Sequence, residues 1–211
     1  MNRAELPAQL GLRARGAERT RSKILAAARQ RLIDAGYHNL SLEQVAADAE
    51  VTRVTIYRKF GNKLGLLDAI AEDLSQRAGL VAGMYAAAAL TDPVAAFTAM
   101  ISELCRFWST DPDLFRRLIS LSAVDPEVHR IISSREQWRF DQVTLFVTRL
   151  ADAGRLCGPF DTDTAAAVVG AVTTFATCDE IATRLHLSHD RIDDILLALL
   201  TGVVRFGKSR P

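Results

Sequence analysis

The chain has 211 residues, of which 49% are apolar, and its 26 basic and 25 acidic side chains leave a formal net charge of +1. This length and composition suffice for a large hydrophobic core and exclude disorder as the main state. The longest uncharged stretches, 78–91 and 164–178, are shorter than the roughly 18 to 20 residues of a membrane span. The N-terminus lacks the apolar segment of a secretory signal, so we expect a cytoplasmic protein without a membrane partner.

The charge is divided unevenly along the chain. Residues 1–63 contain 12 basic and 6 acidic side chains, a net charge of +6, whereas residues 64–211 contain 14 basic and 19 acidic ones, a net charge of −5. A basic N-terminal third is typical of a module that binds a polyanion. A solvated basic face followed by a tail would give the same count, so charge alone leaves both interpretations open.

The first predicted helix runs from about Thr20 to Ala35. Ile24, Ala28 and Leu32 lie on one face of it, and Gly36 is suited to a left-handed C-terminal cap. The residues before it, 1–16, have the composition of a loose basic tail.

Later helix boundaries are marked by capping residues, prolines and glycines, whereas strand patterns are missing. Helix starts are predicted at Asp92-Pro93, Asp125-Pro126, Asp161 or Thr162, and Ser188, with a break at Thr110-Asp111-Pro112, a loop over 154–159 and a last helix reaching about Phe206. We therefore predict an all-α chain of about nine helices.

Residues 41–60 have the pattern of two short helices separated by a tight turn. Ser41 and Gln44 form a capping box before the first helix, and Thr52 can cap the second. Val45 and Ile56 are among the apolar residues on which the two helices can close. This is a helix-turn-helix pattern.

The side chains on the outer face of the second helix indicate what this helix can bind. At ~100° per residue, the side chains that point outward are Val54, Thr55, Tyr57 and Arg58. Lys59 lies on a flank, and Arg53 projects from the N-terminal end. Such a helix suits the major groove, where arginine can pair with guanine and valine can contact a thymine methyl. An ordinary helical hairpin with a charged outer face is the alternative.

The N-terminal quarter also resembles a known family. Gly36-Tyr37, Ser41-Leu42, Val45-Ala46, Ala49, Val51-Thr52, Thr55-Ile56-Tyr57, Phe60, Lys63 and Leu66-Leu67 are similar to the N-terminal domain of TetR-family transcriptional regulators. The resemblance implies that Thr55, Tyr57 and Lys59 hold phosphates, that Arg53 and Val54 read bases, and that Lys63, at the start of a fourth helix capped by Asn62, touches the DNA backbone. The full set of predicted DNA contacts is Ser41, Thr52, Arg53, Val54, Thr55, Tyr57, Arg58, Lys59 and Lys63.

Four residues depart from the family pattern. Glu50 stands where a turn glycine is usual, and if its backbone is left-handed it costs about 1 to 2 kcal/mol. Val54 replaces a common glycine, Lys59 a frequent histidine and Leu64 a frequent glutamate. None of these removes the assignment.

The predicted domains are a disordered basic tail (1–16), a helix-turn-helix DNA-binding domain (17–63) and a ligand-binding and dimerisation domain (64–211). Seven of the fourteen aromatic residues lie between residues 97 and 146. Core packing explains any one of them, but the resemblance implies a cavity for a small apolar or aromatic effector. The candidate lining residues are Met100, Leu104, Trp108, Phe115, Trp138, Asp141, Phe175 and Cys178.

A helix from about Thr162 to Leu185 is uncharged on all sides for fifteen residues and must be buried on all sides. The resemblance implies that it pairs with the last helix in a homodimer, which is the commonest oligomer; a fully internal helix in a monomer is the alternative. The predicted interface residues are Val168, Val169, Val172, Ile195, Leu196, Leu199 and Val203.

Signals for catalysis, metals and cofactors are weak. His186 and His189 lack the spacing of a helical metal site, so we expect solvated loop residues. Three cysteines without a CxxC pair argue against zinc or disulfides. We expect no catalytic residue, metal or cofactor. The predicted function is a transcriptional repressor, not an enzyme, that an effector releases from a pseudo-palindromic DNA operator; an all-α enzyme or small-molecule binding protein with an incidental helix-turn-helix pattern is the alternative.

Overall fold

The computed structural model describes residues 5–207, with side chains from residue 15 onward, and this part of the chain forms eleven α-helices. They are α1 (Glu5–Ala35), α2 (Leu42–Asp48), α3 (Arg53–Phe60), α4 (Lys63–Ala78), α5 (Leu80–Ala88), α6 (Pro93–Ser109), α7 (Pro112–Ser122), α8 (Pro126–Asp152), α9 (Thr162–Val172), α10 (Phe175–Leu185) and α11 (Asp193–Leu199). The all-α prediction is confirmed, with two more helices than expected.

Aspartate caps define the start of four successive helices. The side chains of Asp92, Asp111, Asp125 and Asp161 accept backbone N–H bonds at the first turns of α6, α7, α8 and α9. These bonds satisfy N–H groups that have no partner inside the helix. The additional helix α5 has Gly79 as its N-cap, and a glycine offers no side chain that could cap the helix. The sequence therefore contained no start signal for α5.

Helix α1 is longer than the sequence predicted. It begins at Glu5, not near Thr20, so the expected loose tail is wrong for residues 5–16, and residues 1–4 lie outside the described part. The residues in question are mostly leucine, alanine, glutamine, glutamate and arginine, which favour helix. Extending an existing helix adds one hydrogen bond per residue without a new nucleation step.

The long helix predicted over residues 162–185 is broken into α9 and α10, which are bent by 46°. The Thr173 hydroxyl donates to the carbonyl of Val169, and the Thr174 side chain accepts from the N–H of Thr177 to cap α10. Such side-chain bonds compete with the helical pattern. None of the described helices alone is long and apolar enough to cross a membrane, although α9 and α10 together have the necessary length and composition.

The last predicted helix is also shorter than expected. It was placed from Ser188 to about Phe206, but α11 covers only Asp193–Leu199, and single 3-10 turns flank it at His189–Arg191 and Leu200–Gly202. Beyond them Val204 pairs with Leu156 in an isolated antiparallel bridge.

Helix α4 connects two groups of helices. At the N-terminal side α1, α2 and α3 enclose a small core, and α4 packs against α1 and α3. In the C-terminal body α6 is central and is surrounded by α5, α7, α8, α10 and α11, and α4 also packs against α5, α6 and α8. The predicted domain boundary at residues 63 and 64 therefore falls in the first turn of a helix that both groups use.

The turn between α2 and α3 contains the strained backbone that the sequence predicted. Glu50 has a φ of +55°, in the left-handed region. Its carboxylate accepts a hydrogen bond of 2.6 Å from the Lys23 ammonium on α1, and this bond lowers the pKa of Glu50. The exposed pair contributes little to stability, so it offsets the strain only in part.

Replacing Glu50 with glycine is expected to stabilise the protein. Glycine adopts a positive φ without a steric penalty, so Glu50→Gly should raise the free energy of unfolding by about 0.5 to 1 kcal/mol in urea denaturation. Glu50→Ala is the control, because it removes the pair with Lys23 and keeps the strain. Equal effects of the two substitutions would show that the left-handed backbone is not strained.

Candidate functional site

Local hydrogen bonds fix the helix-turn-helix of α2 and α3. The Ser41 hydroxyl accepts from the N–H of Gln44 at 3.4 Å, and the Thr52 hydroxyl accepts from the N–H of Thr55 at 3.2 Å. The reciprocal half of the predicted capping box is absent, because the Gln44 side chain accepts from Arg31 on α1 at 2.8 Å. The buried side chains between the two helices include Val45 and Ile56. The structure thus confirms the two caps and the pairing of these helices.

The junction of α3 and α4 depends on a glycine that the sequence reasoning missed. A Cβ atom at Gly65 would overlap the backbone carbonyl of Phe60, the last residue of α3. Asn62 caps α4 by accepting from the N–H of Gly65 at 2.8 Å. The end of α3 is therefore packed directly against the first turn of α4. A glycine three residues after an N-cap was the available signal.

The outer face of α3 combines apolar, aromatic and basic side chains. Val54 is 74% exposed and Tyr57 41% exposed, and Arg53 and Arg58 are also exposed. The helical geometry predicted these side chains to point outward, but it predicted the same for Thr55, which is half-buried.

Thr55 and Lys59, two of the proposed phosphate ligands, are half-buried. The Thr55 hydroxyl lies 3.0 Å from that of Thr52, and the Lys59 ammonium donates to the carbonyl of Ala17 on α1 at 3.3 Å. Both side chains are therefore engaged within the domain in this structure.

Arg53, the first residue of α3, is bound by two neighbours. Its guanidinium forms an ion pair with Glu43 of α2 and donates to the Tyr57 hydroxyl at 2.8 Å. It also lies over the Tyr57 ring, 5.1 Å from the centroid. The bond to Tyr57 and the charge of Glu43 raise the pKa of Arg53, which stays cationic.

Lys63 begins α4, as predicted, but its side chain turns towards the connection between α1 and α2. The ammonium donates to the carbonyl of His38 at 3.2 Å and lies 4.3 Å from the centroid of the Tyr37 ring. Partial burial lowers the pKa of Lys63. A backbone contact with DNA would require this side chain to leave Tyr37.

A cavity of about 280 Å³ lies between α4, α6, α7 and α8 and reaches the start of α5. Three of the predicted ligand residues line it, Trp108, Phe115 and Trp138. These are the aromatic side chains that the sequence placed around an effector.

The other predicted ligand residues lie elsewhere. Met100, Leu104 and Cys178 are fully buried in the core, and Phe175 is packed against Trp108 and Phe115 behind the cavity wall. Asp141 is exposed and accepts from Gln137 on its own helix, so its inclusion was wrong. Helical periodicity does not distinguish side chains that line a cavity from those that fill a core.

The charged side chains in the cavity wall were also missed, and they are paired. Arg139 is buried and binds Glu136 at 3.0 Å, the Thr173 hydroxyl at 2.9 Å and the carbonyl of Gly170. Arg135 binds Asp68 at 2.8 Å, and Glu72 lies 3.9 Å from it. The sequence shows an ordinary charged run at this position, so only the packing reveals that two arginines face the cavity.

Residues 24–70 match the family model described as bacterial regulatory proteins, tetR family. This segment of the chain, which contains α2 and α3, is similar to that family's model. The uncharacterized HTH-type transcriptional regulator YvkB of Bacillus subtilis (strain 168) is 37% identical over 62 residues, which are 29% of this chain and 33% of that protein. The matched part thus spans a third of that relative's length.

Solved structures share the fold over nearly the whole length. NalD, the secondary repressor of the MexAB-OprM multidrug efflux pump in Pseudomonas aeruginosa, has a TM-score of 0.66 at 23% identity and covers 90% of this chain and 98% of its own. SmeT in complex with triclosan has a TM-score of 0.72 at 19% identity and covers 91% of this chain and 95% of its own. At these identities the likenesses show a shared fold, and they extend over both the N-terminal helices and the body.

Two arginine contacts connect the N-terminal helices to the body. Arg29 of α1 forms a two-bond ion pair with Asp111, the buried cap of α7, and Arg117 of α7 donates to the carbonyl of Ile33 at 3.1 Å. The bond to Asp111 raises the pKa of Arg29. Because α7 also lines the cavity, movement of α7 would be transmitted to α1.

The predicted dimer residues divide into two groups. Val169, Leu196 and Val203 are buried within the chain itself, so they cannot contact a second copy and their prediction was wrong. Leu199 is 58% exposed, and Val168, Val172 and Ile195 are half-buried. Because the sequence of α9 is apolar on all sides, its periodicity did not distinguish the residues that face the chain's own core from those that face outward.

The histidines expected in a solvated loop differ in environment. His186 is exposed in the left-handed cap of α10, whereas His189 is buried. His189 lies 3.0 Å from the Asp179 carboxylate and stacks on the Phe175 ring. The expectation of solvation was therefore wrong for His189. Among residues 15–207, no group of three or more His, Cys, Asp or Glu side chains is arranged to hold a metal ion.

Cys105 and Cys178 are neighbours in the core. Both thiols are buried, and the neighbouring Cys178 and burial raise the pKa of Cys105. The Cys105 thiol is therefore protonated, which makes it a poor nucleophile.

Proposed function

We propose that this protein is a homodimeric transcriptional repressor whose two α3 helices bind a pseudo-palindromic DNA operator and which a small neutral apolar or aromatic effector releases. The observation that carries the proposal is the position of α4. Its first turn is packed against the end of α3 at Gly65, and its later turns, with Ala71, Leu74 and Ser75, line the cavity. One helix thus touches both the DNA-reading element and the effector site.

The exposed face of α3 supports the DNA part of the proposal. Arg53 and Val54, at its N-terminal end, have the donor and the apolar surface that base edges can recognise in the major groove. Arg58 is exposed and can meet phosphate. Ser41, whose hydroxyl is bonded to Gln44 and Glu43, would reach phosphate through its backbone N–H at the start of α2. Thr52, Thr55, Lys59 and Lys63 would exchange their internal contacts for phosphate. The Tyr57 hydroxyl accepts from Arg53 and can still donate its own hydrogen to phosphate.

The walls of the cavity support a neutral effector. Phe107, Trp108, Phe115 and Trp138 supply aromatic surface, and both arginines in the wall are already paired with carboxylates. A charged molecule would have to break one of these pairs, which is costly in a partly buried site. An apolar or aromatic molecule gains by covering the ring faces without that cost.

The coupling between effector binding and DNA release follows from a difference in effector affinity between two arrangements of the helices. An effector that binds more tightly when α4 and α7 have moved apart favours that arrangement and changes the separation of the two α3 helices in the dimer. Half-sites one helical turn apart, about 34 to 36 Å, then no longer match the protein. The proposal assigns no catalytic residue to the chain.

The DNA part predicts different effects for two substitutions. Arg53→Ala should cost about 1 to 3 kcal/mol in operator binding and relax the preference at one base pair. Lys63→Ala should weaken binding to all sequences alike and reduce the salt slope by about one. Duplexes selected from a random pool, followed by binding at several salt concentrations, measure both effects.

Arg77→Ala is the control for that experiment, because Arg77 lies in the last turn of α4 and pairs with Asp73. The opposite pattern for Arg53 and Lys63 would reverse the assignment of base reader and phosphate anchor. A protein that binds no duplex would contradict the regulator and favour a small-molecule binding protein or an enzyme.

Filling the cavity should block the effector site. Both tryptophans of the chain line it, so a bound aromatic molecule should quench their fluorescence. With triclosan, which is bound in the SmeT structure, as the probe, Ser75→Phe should raise the dissociation constant about tenfold or more by occupying the cavity.

Gln76→Phe is the matched control, since Gln76 is exposed and does not line the cavity. Equal quenching in both variants would place the aromatic site elsewhere. Absence of quenching in the unsubstituted protein would contradict a cavity that accepts neutral aromatic molecules.

The dimer part predicts dissociation on charge insertion at Leu199. An unpaired carboxylate buried in an interface costs about 2 kcal/mol, and a homodimer contains two copies of residue 199, so Leu199→Glu should raise the dimer dissociation constant about a thousandfold. Tyr85→Glu is the control, because Tyr85 is 73% exposed on α5. Sedimentation equilibrium measures the constant, and an equal effect of both substitutions would place the interface elsewhere.

A further inference from the structure

We propose that Glu43 is a specificity-determining residue that positions the Arg53 guanidinium for reading one base pair. This inference rests on the proposed DNA-binding function. It assigns to α2 a part in base selection, through a side chain that does not itself need to touch a base.

The geometry around Arg53 restricts the guanidinium from two sides. Glu43 of α2 binds one terminal nitrogen, and the Tyr57 hydroxyl accepts from the other at 2.8 Å. The Tyr57 ring lies under the guanidinium, with its centroid 5.1 Å from the central carbon. A side chain with four rotatable bonds is therefore held in one position, although it is exposed.

The contacts leave donors free for DNA. A guanidinium has five N–H groups, and Glu43 and Tyr57 occupy one on each terminal nitrogen. Three remain, and two of them suffice for a bidentate contact with guanine in the major groove. Glu43 and Tyr57 thus orient Arg53 without using up its capacity to pair.

Glu43 is itself fixed. The Ser41 hydroxyl, at the N-cap of α2, donates to its carboxylate at 3.1 Å. The hydrogen bonds that Glu43 accepts from its own backbone N–H and from Ser41 lower its pKa, so it is ionised at neutral pH. The chain of contacts Ser41, Glu43, Arg53 and Tyr57 connects the start of α2 to the start and middle of α3.

The negative charge of Glu43 is unfavourable for DNA binding in general, and this cost indicates a role in discrimination between sequences. Glu43 is exposed beside the surface that would face phosphates, and its charge opposes binding to any duplex. Exposed ion pairs also add little to folding stability. A residue that weakens general binding and orders a base-reading side chain increases discrimination at the expense of affinity.

The test compares Glu43→Ala with Glu50→Ala. Both remove one exposed carboxylate from the same domain, but Glu50 pairs with Lys23 on α1 and not with α3. Discrimination is measured for each base pair of a selected operator half-site, as the ratio of dissociation constants for the operator and for its single-base variants. The same substitutions are then made in an Arg53→Ala background.

Glu43→Ala should lower discrimination about two- to tenfold, the cost of ordering one long side chain, and only at the base pair whose preference is lost in Arg53→Ala. Binding to unrelated duplex should tighten about two- to fivefold, as one exposed charge is removed. Glu50→Ala should not change discrimination at any single base pair of the half-site. In the Arg53→Ala background, Glu43→Ala should no longer change discrimination, and the urea midpoint of Glu43→Ala should equal that of the unsubstituted protein.

Two results would overturn the inference while leaving the DNA-binding function in place. Unchanged discrimination in Glu43→Ala would show that Arg53 is oriented without Glu43. Increased discrimination would show that Glu43 restrains Arg53 from reading the base. A protein that selects no duplex at all would instead overturn the proposed function, and the inference with it.

Discussion

The close approach of α3 and α4 at Gly65 is the constraint on which the other features depend. Because Gly65 has no side chain, the Phe60 carbonyl at the end of α3 can lie against the first turn of α4. The two helices then meet as one rigid corner, and interiors of this packing density transmit a displacement rather than absorb it. The same helix passes the cavity about two to three turns later, so the position of α3 and the shape of the cavity are connected through one helix.

The net charge of +1 is the sum of a basic N-terminal part and an acidic C-terminal part. This division corresponds to the two groups of helices that α4 connects. The basic residues between positions 15 and 63 lie around a small apolar core, and ion pairs such as Arg31 with Asp48 and Lys23 with Glu50 are exposed. Such pairs contribute little to folding, so they can be exchanged for phosphate contacts at low cost. The C-terminal body, with a net charge of −5, would be repelled by the same phosphates and would help to orient the domain on DNA.

The features that the sequence could predict are those with local causes. Capping by Ser41, Thr52 and Asp161 and the left-handed backbone of Glu50 depend on a few adjacent residues, and the structure has all of them. The break at Thr173 and Thr174 depends on whether side-chain hydrogen bonds replace those of the helix. Val169 and Leu196 are buried within the chain, and a helix that is apolar on all sides does not reveal which side faces its own core. The buried pairs of Arg139 need the packing of α8 on α9, which no periodicity reveals.

The paired arginines in the cavity wall also bear on how an effector would act. Arg139 links α8 to the start of the break between α9 and α10 through Gly170 and Thr173, and Arg135 links α8 to α4 through Asp68. An effector that only fills the space between the rings leaves these bonds intact, so its binding energy acts on the apolar contacts of α4 and α7. Because Arg29 and Arg117 fasten α7 to α1, any shift of α7 displaces the whole helix-turn-helix relative to the body. The polar bonds thus connect α8 to α4 and α7 to α1, and the apolar contacts in the cavity are those that an effector can change without breaking an ion pair.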